Sequence, residues 1–301
     1  MNYKRIIKSQ NLRFKILLLL KFIPDKLMLK MQYRIKTGRS LSFNNPKRFT
    51  EWLQWYKVNY RNSVLHECVD KYEVRKYVER KGLANILNKV LGIYNNANDI
   101  DFSSLPKRFV AKTTDGGGGQ NVIICKDKDT ADFNEIRAKL NSWLNRKNIN
   151  AGREWAYTGI KQSQILIEEY LENESVPEAG IEDYKILCFG GCPKIIIYDC
   201  DRYIEHKRNV YDIKWTRIYV DSDCKQKDAD IPKPENLEYM LTVAAKLSED
   251  FPFVRVDLYN INGKIIFGEL TFYPWSGYVQ FDPDSFDYKL GQYFENGIAN
   301  K

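Results

Sequence analysis

Charged side chains interrupt two apolar, strand-like segments near the C-terminus of the 301-residue chain. Arg255 and Asp257 lie in residues 253–259, and Glu269 lies in residues 264–271. Both segments are rich in β-branched and aromatic residues and alternate in polarity, which predicts a β-hairpin. A carboxylate inside an apolar strand costs free energy unless it is paired or binds a metal. The hairpin therefore indicates either a Mg²⁺ and phosphate site or a structural Arg–Glu pair at a sheet surface.

The length of the turn decides whether these charges share one face of the hairpin. A three-residue loop over residues 261–263 would place Asp257 opposite Phe267 and Arg255 opposite Glu269. A two-residue turn at Asn262-Gly263 would shift the register by one and put the two carboxylates on opposite faces. We expect the three-residue loop because it separates polar from apolar side chains. The polar face would then carry Arg255, Asp257, Glu269 and Thr271.

A second informative stretch joins a lysine to four consecutive glycines. Lys112 ends a predicted strand, and the glycines that follow are Gly116, Gly117, Gly118 and Gly119. Backbone N–H groups in such a run can surround an anion, and a lysine at the strand end adds a positive charge. The order of residues is not that of a Walker loop. A flexible linker is disfavoured because apolar strands flank the glycines on both sides, so we predict a phosphate-binding loop.

Several single residues between these two stretches suggest nucleotide contacts. Residues 164–171 predict a buried strand that ends in Glu168, Glu169, Tyr170 and Leu171, where backbone groups could recognise a purine. Asp183 and Lys185 share one face of the next strand, because they are two residues apart. Asp183 could then accept a hydrogen bond from a ribose hydroxyl, and Lys185 could face phosphate. Taken singly, a solvated surface position is the favoured interpretation of each residue, and Lys71 on a predicted helix over 70–80 is an equally weak signal alone.

Charge is distributed unevenly along the chain. The net charge is +8, but residues 1–39 contain eleven Lys and Arg and one acid, Asp25, so the other 262 residues sum to −2. This distribution, without a basic–aromatic binding motif, disfavours a nucleic-acid partner. The apolar run over residues 16–20 is too short for a membrane span or a signal sequence, so we expect a cytoplasmic protein with reduced cysteines.

The basic N-terminal segment leaves two interpretations open. Residues 11–36 are helical by composition and rich in leucine, so the helix could lie on the anionic inner face of a membrane through residues 1–39. Alternatively, it could pack on its own domain with a solvated basic side. We favour the second interpretation.

The order of predicted elements indicates an α+β protein with mainly antiparallel sheets, because long hairpin strands are mixed with helices. We expect residues 199–233 to be loop-rich and the chain after Pro274 to be rich in aromatic residues and turns. The predicted organisation is a basic helical segment over residues 1–60 and one larger domain over 61–301. Within that domain we place a Gly-rich-loop subdomain at about 105–165 and a metal-binding subdomain at about 165–290.

Read from N to C, these motifs resemble the ATP-grasp fold, in which two α+β subdomains hold ATP. The chain is most similar to the TupA-like family of the teichuronopeptide-biosynthesis type. The resemblance spans about residues 40–290 and is carried by Asn45-Pro46, Val69-Asp70-Lys71-Tyr72, Phe109-Val110-Ala111-Lys112, Ile167-Glu168-Glu169-Tyr170, Asp183-Tyr184-Lys185, Phe189-Gly190-Gly191, Arg255-Val256-Asp257 and Phe267-Gly268-Glu269.

This resemblance implies a role for each matching residue. Lys71 and Lys112 correspond to the two phosphate-binding lysines, and residues 168–171 correspond to the adenine-binding hinge. Asp183 corresponds to the ribose-binding acid, and Asp257 and Glu269 to the metal ligands. The sequence departs from the pattern at Thr271, where many relatives have asparagine, and in lacking a serine in the glycine loop.

The resemblance also implies an activity, which is that of an ATP-dependent carboxylate–amine ligase with Mg²⁺ as cofactor. ATP would phosphorylate a carboxylate, an amine would displace the phosphate, and Arg255 would stabilise the developing charge. The implied setting is cell-surface polysaccharide synthesis, with a uronic acid or amino acid as substrate. Arg202, His206 and Arg208 are candidates for contacting the substrate, although a charged surface-loop position is the favoured interpretation for each.

Two other classes of function remain open at this stage. A glycosyltransferase of the same pathway could use an Asp-x-Asp pattern, of which residues 199–201 and 221–223 are examples, to hold a metal and a nucleotide sugar. A non-catalytic polysaccharide- or membrane-binding protein could use the basic N-terminus. The second alternative leaves Lys112, the glycines and the charged hairpin unexplained.

Overall fold

The computed structural model describes residues 16–117, 121–146, 150–173 and 176–301. Gly118 and Gly119 of the predicted phosphate loop and residues 1–15 of the basic segment lie outside these ranges. The helices are α1 Asp25–Thr37, α2 Phe49–Asn59, α3 Val64–Cys68, α4 Val74–Arg80, α5 Phe133–Leu144, α6 Leu237–Ser248 and α7 Ser285–Ala299. None of the helices in the described ranges is long and apolar enough to cross a membrane.

The strands form two antiparallel sheets. They are β1 Val90–Tyr94, β2 Phe109–Thr113, β3 Val122–Cys125, β4 Ile165–Glu169, β5 Asp183–Phe189, β6 Cys192–Cys200, β7 Lys207–Asp212, β8 Arg217–Ile218, β9 Phe253–Ile261 and β10 Lys264–Thr271. The first sheet has the order β1-β4-β2-β3, and the second has the order β10-β9-β5-β6-β7-β8. The predicted α+β class is confirmed. The first sheet begins before residue 105 and extends past residue 165, so it is wider than the subdomain drawn from the sequence.

Each sheet is covered by helices that bury an apolar face. The larger core packs α2, α6 and α7 against the second sheet, and its aromatic centre includes Phe49, Phe253 and Phe294 with ring centroids 5.0–6.1 Å apart. The smaller core joins α5 to the first sheet through Leu140 and its neighbours. Because Phe49 of α2 lies at the centre of the larger core, α2 is structurally continuous with the main domain.

Helix α1 presents two different apolar faces. Leu29 and Tyr33 are fully buried in a small cluster with Leu41 and Phe43. A second stripe, spaced four residues apart, remains exposed and consists of Leu27, Met31 and Ile35. The side chains of Leu19 and Phe22, just before α1, are 73% and 82% exposed. The expected packing of this segment on its own domain therefore accounts for only one of its apolar faces.

A buried carboxylate on α7 holds the start of α2. Asp287 accepts hydrogen bonds from the Thr50 backbone N–H at 3.0 Å and from the Thr50 hydroxyl at 2.8 Å. Burial raises the pKa of Asp287 to about 6, although these hydrogen bonds oppose the shift. The folded protein therefore binds more protons than the unfolded chain between the ordinary aspartate pKa and pH 6.

Stability is expected to fall as pH rises through that window, because the unfolded state favours the ionised carboxylate more than the folded state does. A shift of two pKa units corresponds to about 3 kcal/mol as an upper value. The measurement is the unfolding free energy of wild type and Asp287→Asn between about pH 4 and pH 7. The difference between the two proteins should change with pH over this range. Parallel curves would contradict the assignment.

Candidate active site

The β9–β10 hairpin has a two-residue turn, so the three-residue loop expected from the sequence is wrong. Ile261 pairs with Lys264, which leaves Asn262 and Gly263 in the turn, both with positive φ (51° and 81°). This combination is typical of the tight hairpin turns that match strand twist. The register then shifts between Phe267 and Glu269, where a β-bulge is inserted.

The bulge returns the charged residues to a common face. Past it, Glu269 lies opposite Asp257, and Thr271 lies opposite Arg255. The bulge residue is Gly268, where an added Cβ would lie 3.0 Å from the carbonyl oxygen of Asp257. Glycine therefore lets β10 approach the backbone of Asp257 closely. The two carboxylates meet on one face, as the sequence predicted, but through a different backbone path.

Arg255 is the centre of this face. Its Nε donates to Asp257 Oδ1 and its Nη2 to Asp257 Oδ2, each at 2.7 Å. Nη2 also donates to Glu269 Oε1 at 3.2 Å and to the Thr271 hydroxyl at 3.0 Å. The Thr271 hydroxyl in turn donates to Glu269 Oε1 at 2.9 Å. One guanidinium thus fixes both carboxylates and the hydroxyl through charge-assisted hydrogen bonds.

Positive charges keep Glu269 ionised. Although burial raises its pKa, Lys71, Arg255 and Lys185 hold the pKa of Glu269 well below its usual range. Lys71 Nζ lies 3.2 Å from Glu269 Oε2. Asp257 is almost fully buried, whereas the Glu269 side chain is 37% exposed. Glu269 is therefore the carboxylate of this pair that is open to a ligand.

A row of alternating charges continues from the hairpin across the second sheet. Lys185 lies opposite Asp257, and its Nζ is 3.3 Å from Asp257 Oδ2 and 2.5 Å from Asp183 Oδ2. Asp199 lies opposite Asp183 and is bound by Arg208, whose Nε donates to Asp199 Oδ1 at 2.6 Å. Burial would raise the pKa of Asp199, but Arg208 and its neighbours lower it to about 2.

The residues predicted to bind substrate join this row. Arg208 lies on β7 and is buried, so the expected loop over residues 199–233 is wrong at this point. Arg202 donates to Asp183 Oδ2 at 2.6 Å and is 39% exposed, and His206 Nε2 lies 3.4 Å from Asp199. Lys185, predicted to face phosphate, is buried among carboxylates. The ribose-binding role of Asp183 and the substrate roles of these residues stay predictions.

Residues 70–75 contact both the hairpin and the predicted phosphate-binding loop of the first sheet. The Lys71 backbone N–H donates to the Thr114 carbonyl at 2.9 Å, just before Gly116 and Gly117. On the first sheet, Lys112 Nζ lies 2.5 Å from Glu168 Oε2, and Arg75 lies 3.8 Å from the same carboxylate. Residues 70–75 therefore lie between the two lysines' sites. Lys71 pairs with Glu269 of the hairpin, and Arg75 lies near the carboxylate that pairs with Lys112.

Part of the backbone of the predicted adenine hinge is already hydrogen-bonded within the protein. The Glu169 N–H donates to the Lys89 carbonyl at 3.0 Å, and its carbonyl accepts from the Asn88 side chain at 2.9 Å. Backbone recognition of a purine would therefore fall to Tyr170 and Leu171. The guanidinium carbon of Arg108 lies 5.2 Å from the centre of the Tyr170 ring.

A cavity of about 390 Å³ opens on the charged face of the hairpin. Its wall includes Arg255, Glu269 and Thr271 together with Gly117 from the phosphate loop. The lining also includes residues within 150–157 and 273–276 to which the sequence analysis gave no role. The sequence offered one signal for the second segment, because Pro274 and Gly277 bracket a tight turn. It offered none that Glu154 would face the cavity.

The donor set of the hairpin fits a hard divalent cation. Carboxylate and hydroxyl oxygens are the ligands that Mg²⁺ prefers, together with phosphate oxygens. Glu269 and Thr271 offer such oxygens in the cavity lining. Asp257, the third predicted ligand, is buried and has both oxygens bound to Arg255 and Lys185, so it would have to exchange these partners to reach a cation. Among the described residues there is no cluster of three or more acidic, histidine or cysteine side chains suited to hold a metal by itself. A cation here would therefore need phosphate oxygens to complete its set of ligands.

The match to a protein family identifies the class of this site. The TupA-like ATP-grasp family matches residues 51–295, so the chain belongs to the TupA-like ATP-grasp family. This assignment confirms the ATP-grasp fold and the prediction of an enzyme of the ATP-grasp ligase class. No curated protein matches the chain.

Several solved structures are similar in backbone. D-alanine–D-alanine ligase from Bacillus anthracis is 17% identical, with 77% of this chain and 68% of that chain covered and a TM-score of 0.47. D-alanine–D-alanine ligase from Helicobacter pylori is 14% identical, with 78% and 60% covered and a TM-score of 0.44. N5-carboxyaminoimidazole ribonucleotide synthetase in its ADP complex is 15% identical, with 74% and 50% covered and a TM-score of 0.42. Assignment of this chain rests on the family match.

Proposed function

We propose that the chain joins a carboxylate to an amine through an acyl phosphate, at the expense of ATP. The observation that carries this proposal is the shared cavity, where Arg255 and Glu269 face the phosphate loop at Gly117. Lys71 lies next to this cavity through its ion pair with Glu269, and Lys112 lies on the strand that leads to the glycines. Both lysines now pair with carboxylates, Glu269 and Glu168, so phosphate would exchange one anionic partner for another.

The chemistry follows from the charges of the cavity. A substrate carboxylate attacks the terminal phosphorus of ATP, the acyl phosphate forms and ADP leaves. Arg255 is held in place by Asp257, so its guanidinium can stabilise the phosphoryl group and then the oxyanion formed when the amine attacks. Mg²⁺ held by Asp257, Glu269 and Thr271 would offset phosphate charge when bound. No side-chain nucleophile is required.

We propose a uronic acid or amino acid of a cell-surface polysaccharide as the substrate, as the family resemblance implies. Arg202 is the best placed of the three predicted substrate residues, because it is the most exposed of the charged row. Arg208 is held by Asp199 and by Asp223, so it orders the sheet rather than facing a ligand.

The glycosyltransferase alternative gains no support from these contacts. The first Asp-x-Asp pattern is engaged by cations, with Asp199 bound to Arg208 and Asp201 to Lys227 at 2.8 Å. Asp223 of the second pattern also pairs with Arg208. None of these carboxylates lines the cavity that Glu269 shares with Gly117.

The proposal is tested by trapping the acyl phosphate. The purified protein is incubated with Mg²⁺, ATP, hydroxylamine and a panel of carboxylates that includes glucuronate, galacturonate and glutamate. We expect ADP and a hydroxamate in equal amounts with at least one carboxylate. ADP formation that is independent of every carboxylate, with no hydroxamate, would contradict a ligase.

The exposed apolar stripe before and along α1 suggests a further contact. We propose that it rests on an anionic membrane surface, since lysines at positions 21, 26 and 30 accompany the exposed Leu19, Phe22, Leu27 and Met31. Apolar insertion and attraction to anionic lipid would then act together.

Replacing Leu19 and Phe22 by serine is expected to weaken vesicle binding about tenfold or more, because two large side chains no longer leave water. The measurement is co-sedimentation with vesicles of phosphatidylglycerol and phosphatidylcholine. Tyr219→Ser, at a 70% exposed aromatic elsewhere, is the matched control and should bind as wild type does. Absence of binding by the wild type, or equal binding by the double variant, would exclude this surface as a membrane contact.

A further inference from the structure

A polar cluster meets the cavity that Arg255 and Glu269 also line, and two of its three members lie in the cavity lining. It consists of Glu154, Ser276 and Lys57. The Ser276 hydroxyl donates to Glu154 Oε1 at 2.5 Å, and Lys57 Nζ lies 3.0 Å from the Ser276 hydroxyl oxygen. Lys57 Nζ is 3.8 Å from Glu154 Oε1. Three segments distant in sequence therefore converge on one carboxylate at the cavity wall.

The backbone is specialised to build this cluster. Trp275 and Ser276 have positive φ (51° and 54°), a conformation that costs free energy for residues other than glycine. Gln54 Nε2 and Lys57 Nζ both donate to the Ser276 carbonyl, at 3.1 Å and 2.9 Å, and fix it in this conformation. An added Cβ at Gly152 would lie 2.7 Å from Glu154 Oε1. The strained turn and the glycine both serve to place Glu154 and Ser276 together.

Charge and burial distinguish the roles of the three residues. The Lys57 side chain has no exposed surface, and burial lowers its pKa to about 8 although Glu154 opposes the shift. Lys57 therefore cannot reach a ligand and acts by positioning Ser276 and Glu154. The Glu154 side chain is 19% exposed and lines the cavity. Within the described residues, the side-chain hydrogen bond and ion pair of Glu154 both involve Oε1, which leaves Oε2 for a ligand.

We propose that Glu154 binds the ammonium group of the amine substrate and accepts its proton. This inference rests on the ligase function proposed above and assigns the second substrate to the wall formed by Glu154 and Ser276. The attacking group is thus a primary amine that is protonated in solution, as in an amino acid or amino sugar. The acyl phosphate forms at Arg255 and Glu269, which line the same cavity, so the two reactants meet within it.

Proton transfer to Glu154 comes before amide formation. The ammonium loses one proton to Glu154, and the neutral nitrogen attacks the carbonyl carbon of the acyl phosphate. The C–N bond forms and the carbon–oxygen bond to phosphate breaks, with the electron pair leaving on phosphate. The second proton lost from nitrogen leaves with phosphate as hydrogen phosphate, and Glu154 returns its proton to solvent.

Hydroxylamine separates this role from the rest of the reaction, because it is largely uncharged near neutral pH and needs no base before attack. Glu154→Gln keeps the shape of the side chain and an oxygen that can accept from Ser276. With the carboxylate that supports hydroxamate formation in wild type, we expect Glu154→Gln to retain that rate within about threefold. Amide formation with glycine, lysine or glucosamine as the amine should fall at least about 100-fold, the scale of a lost general base.

Two further variants complete the test. Ser276→Ala removes the contact that orients Glu154 and should raise the KM for the amine more than it lowers kcat, with hydroxamate formation unchanged. Glu67→Gln is the matched control, because Glu67 is a partly exposed carboxylate paired with Arg80 at 2.7 Å and does not line the cavity. It should behave as wild type with both nucleophiles.

The outcomes are distinguishable from failure of the ligase proposal. If wild type forms no hydroxamate with any carboxylate, the ligase function itself fails, and this inference fails with it. If wild type is active and Glu154→Gln loses both reactions equally, or keeps amide formation, Glu154 has no specific role toward the amine and the inference is overturned.

Discussion

Replacing Glu269 by glutamine is expected to lower the rate of carboxylate-dependent ADP formation by about 10²–10³-fold, the usual cost of losing one group that stabilises transition-state charge. Glu269 is ionised, half-exposed and part of the cavity wall, where it faces Lys71 and Arg255. The variant leaves the two cations without one carboxylate and removes a ligand proposed for Mg²⁺. The rate is measured by coupled ADP detection at saturating ATP.

The same variant is expected to fold with little loss of stability. Glu269 is 37% exposed, and ion pairs at such positions contribute about 0–1 kcal/mol. Glu73→Gln, at a 40% exposed carboxylate paired with Lys76 outside the cavity, is the control and should change neither rate nor stability. A Glu269→Gln protein with the rate of wild type would show that this carboxylate takes no part in the reaction.

Replacing Asp257 by asparagine is expected to lower stability strongly as well as the rate, whereas Glu269→Gln should lower mainly the rate. Asp257 is buried and accepts two hydrogen bonds from Arg255 and one from Lys185 at 3.3 Å. Its loss leaves two buried cations short of a counter-charge, which lowers the free energy of unfolding by about 3–5 kcal/mol. Denaturant unfolding measures this difference.

A surface pair and a double substitution serve as controls for Asp257. Glu135→Gln on α5 breaks a pair with Lys139 in which both side chains are more than half exposed, and should cost about 0–1 kcal/mol. Combining Asp257→Asn with Arg255→Met removes both charged partners and should recover part of the lost stability, because no unpaired guanidinium remains. An Asp257→Asn protein as stable as the surface variant would exclude the buried pair as a structural anchor.

The hairpin shows both what sequence reasoning achieved and where it failed. Alternation of polarity correctly placed Arg255, Asp257, Glu269 and Thr271 on one face, because burial of the other face demands it. The predicted register was wrong, because the hairpin has a two-residue turn followed by a bulge at Gly268 instead of a three-residue loop. A bulge depends on the close approach of β10 to Asp257, and local pattern does not report that distance.

The missed strands have a similar explanation. β7 begins Lys207-Arg208-Asn209, a polar run that looks like a loop when taken alone. Arg208 and Asn209 are nonetheless buried, because Asp199 on the neighbouring strand neutralises the guanidinium and the side chain of Asn209 accepts from the Lys227 backbone at 2.9 Å. Tertiary pairing here overrides local propensity. α7 was not predicted in the segment after Pro274, which was expected to be rich in aromatic residues and turns.

The polar cluster of Lys57, Glu154 and Ser276 could not be predicted from the sequence. Lys57, Glu154 and Ser276 are separated by about a hundred residues each, and none belongs to a motif of fixed spacing. Their proximity follows from packing of α2 against the turn after Pro274. By contrast, Lys112 with its glycines and the acids of the hairpin could be singled out as candidates because phosphate and metal sites often place characteristic residue types close together in sequence.

The central claim is that this cavity binds ATP rather than a nucleotide sugar. It is tested most directly by thermal unfolding of the wild-type protein with Mg²⁺ and, in turn, ATP, ADP, GTP and UDP-glucose. Ligand at one hundred times its Kd stabilises the folded state by about 2.7 kcal/mol, which is readily measured as a rise in Tm. The account predicts a rise with ATP and ADP and none with UDP-glucose. A rise with UDP-glucose and none with ATP would contradict it.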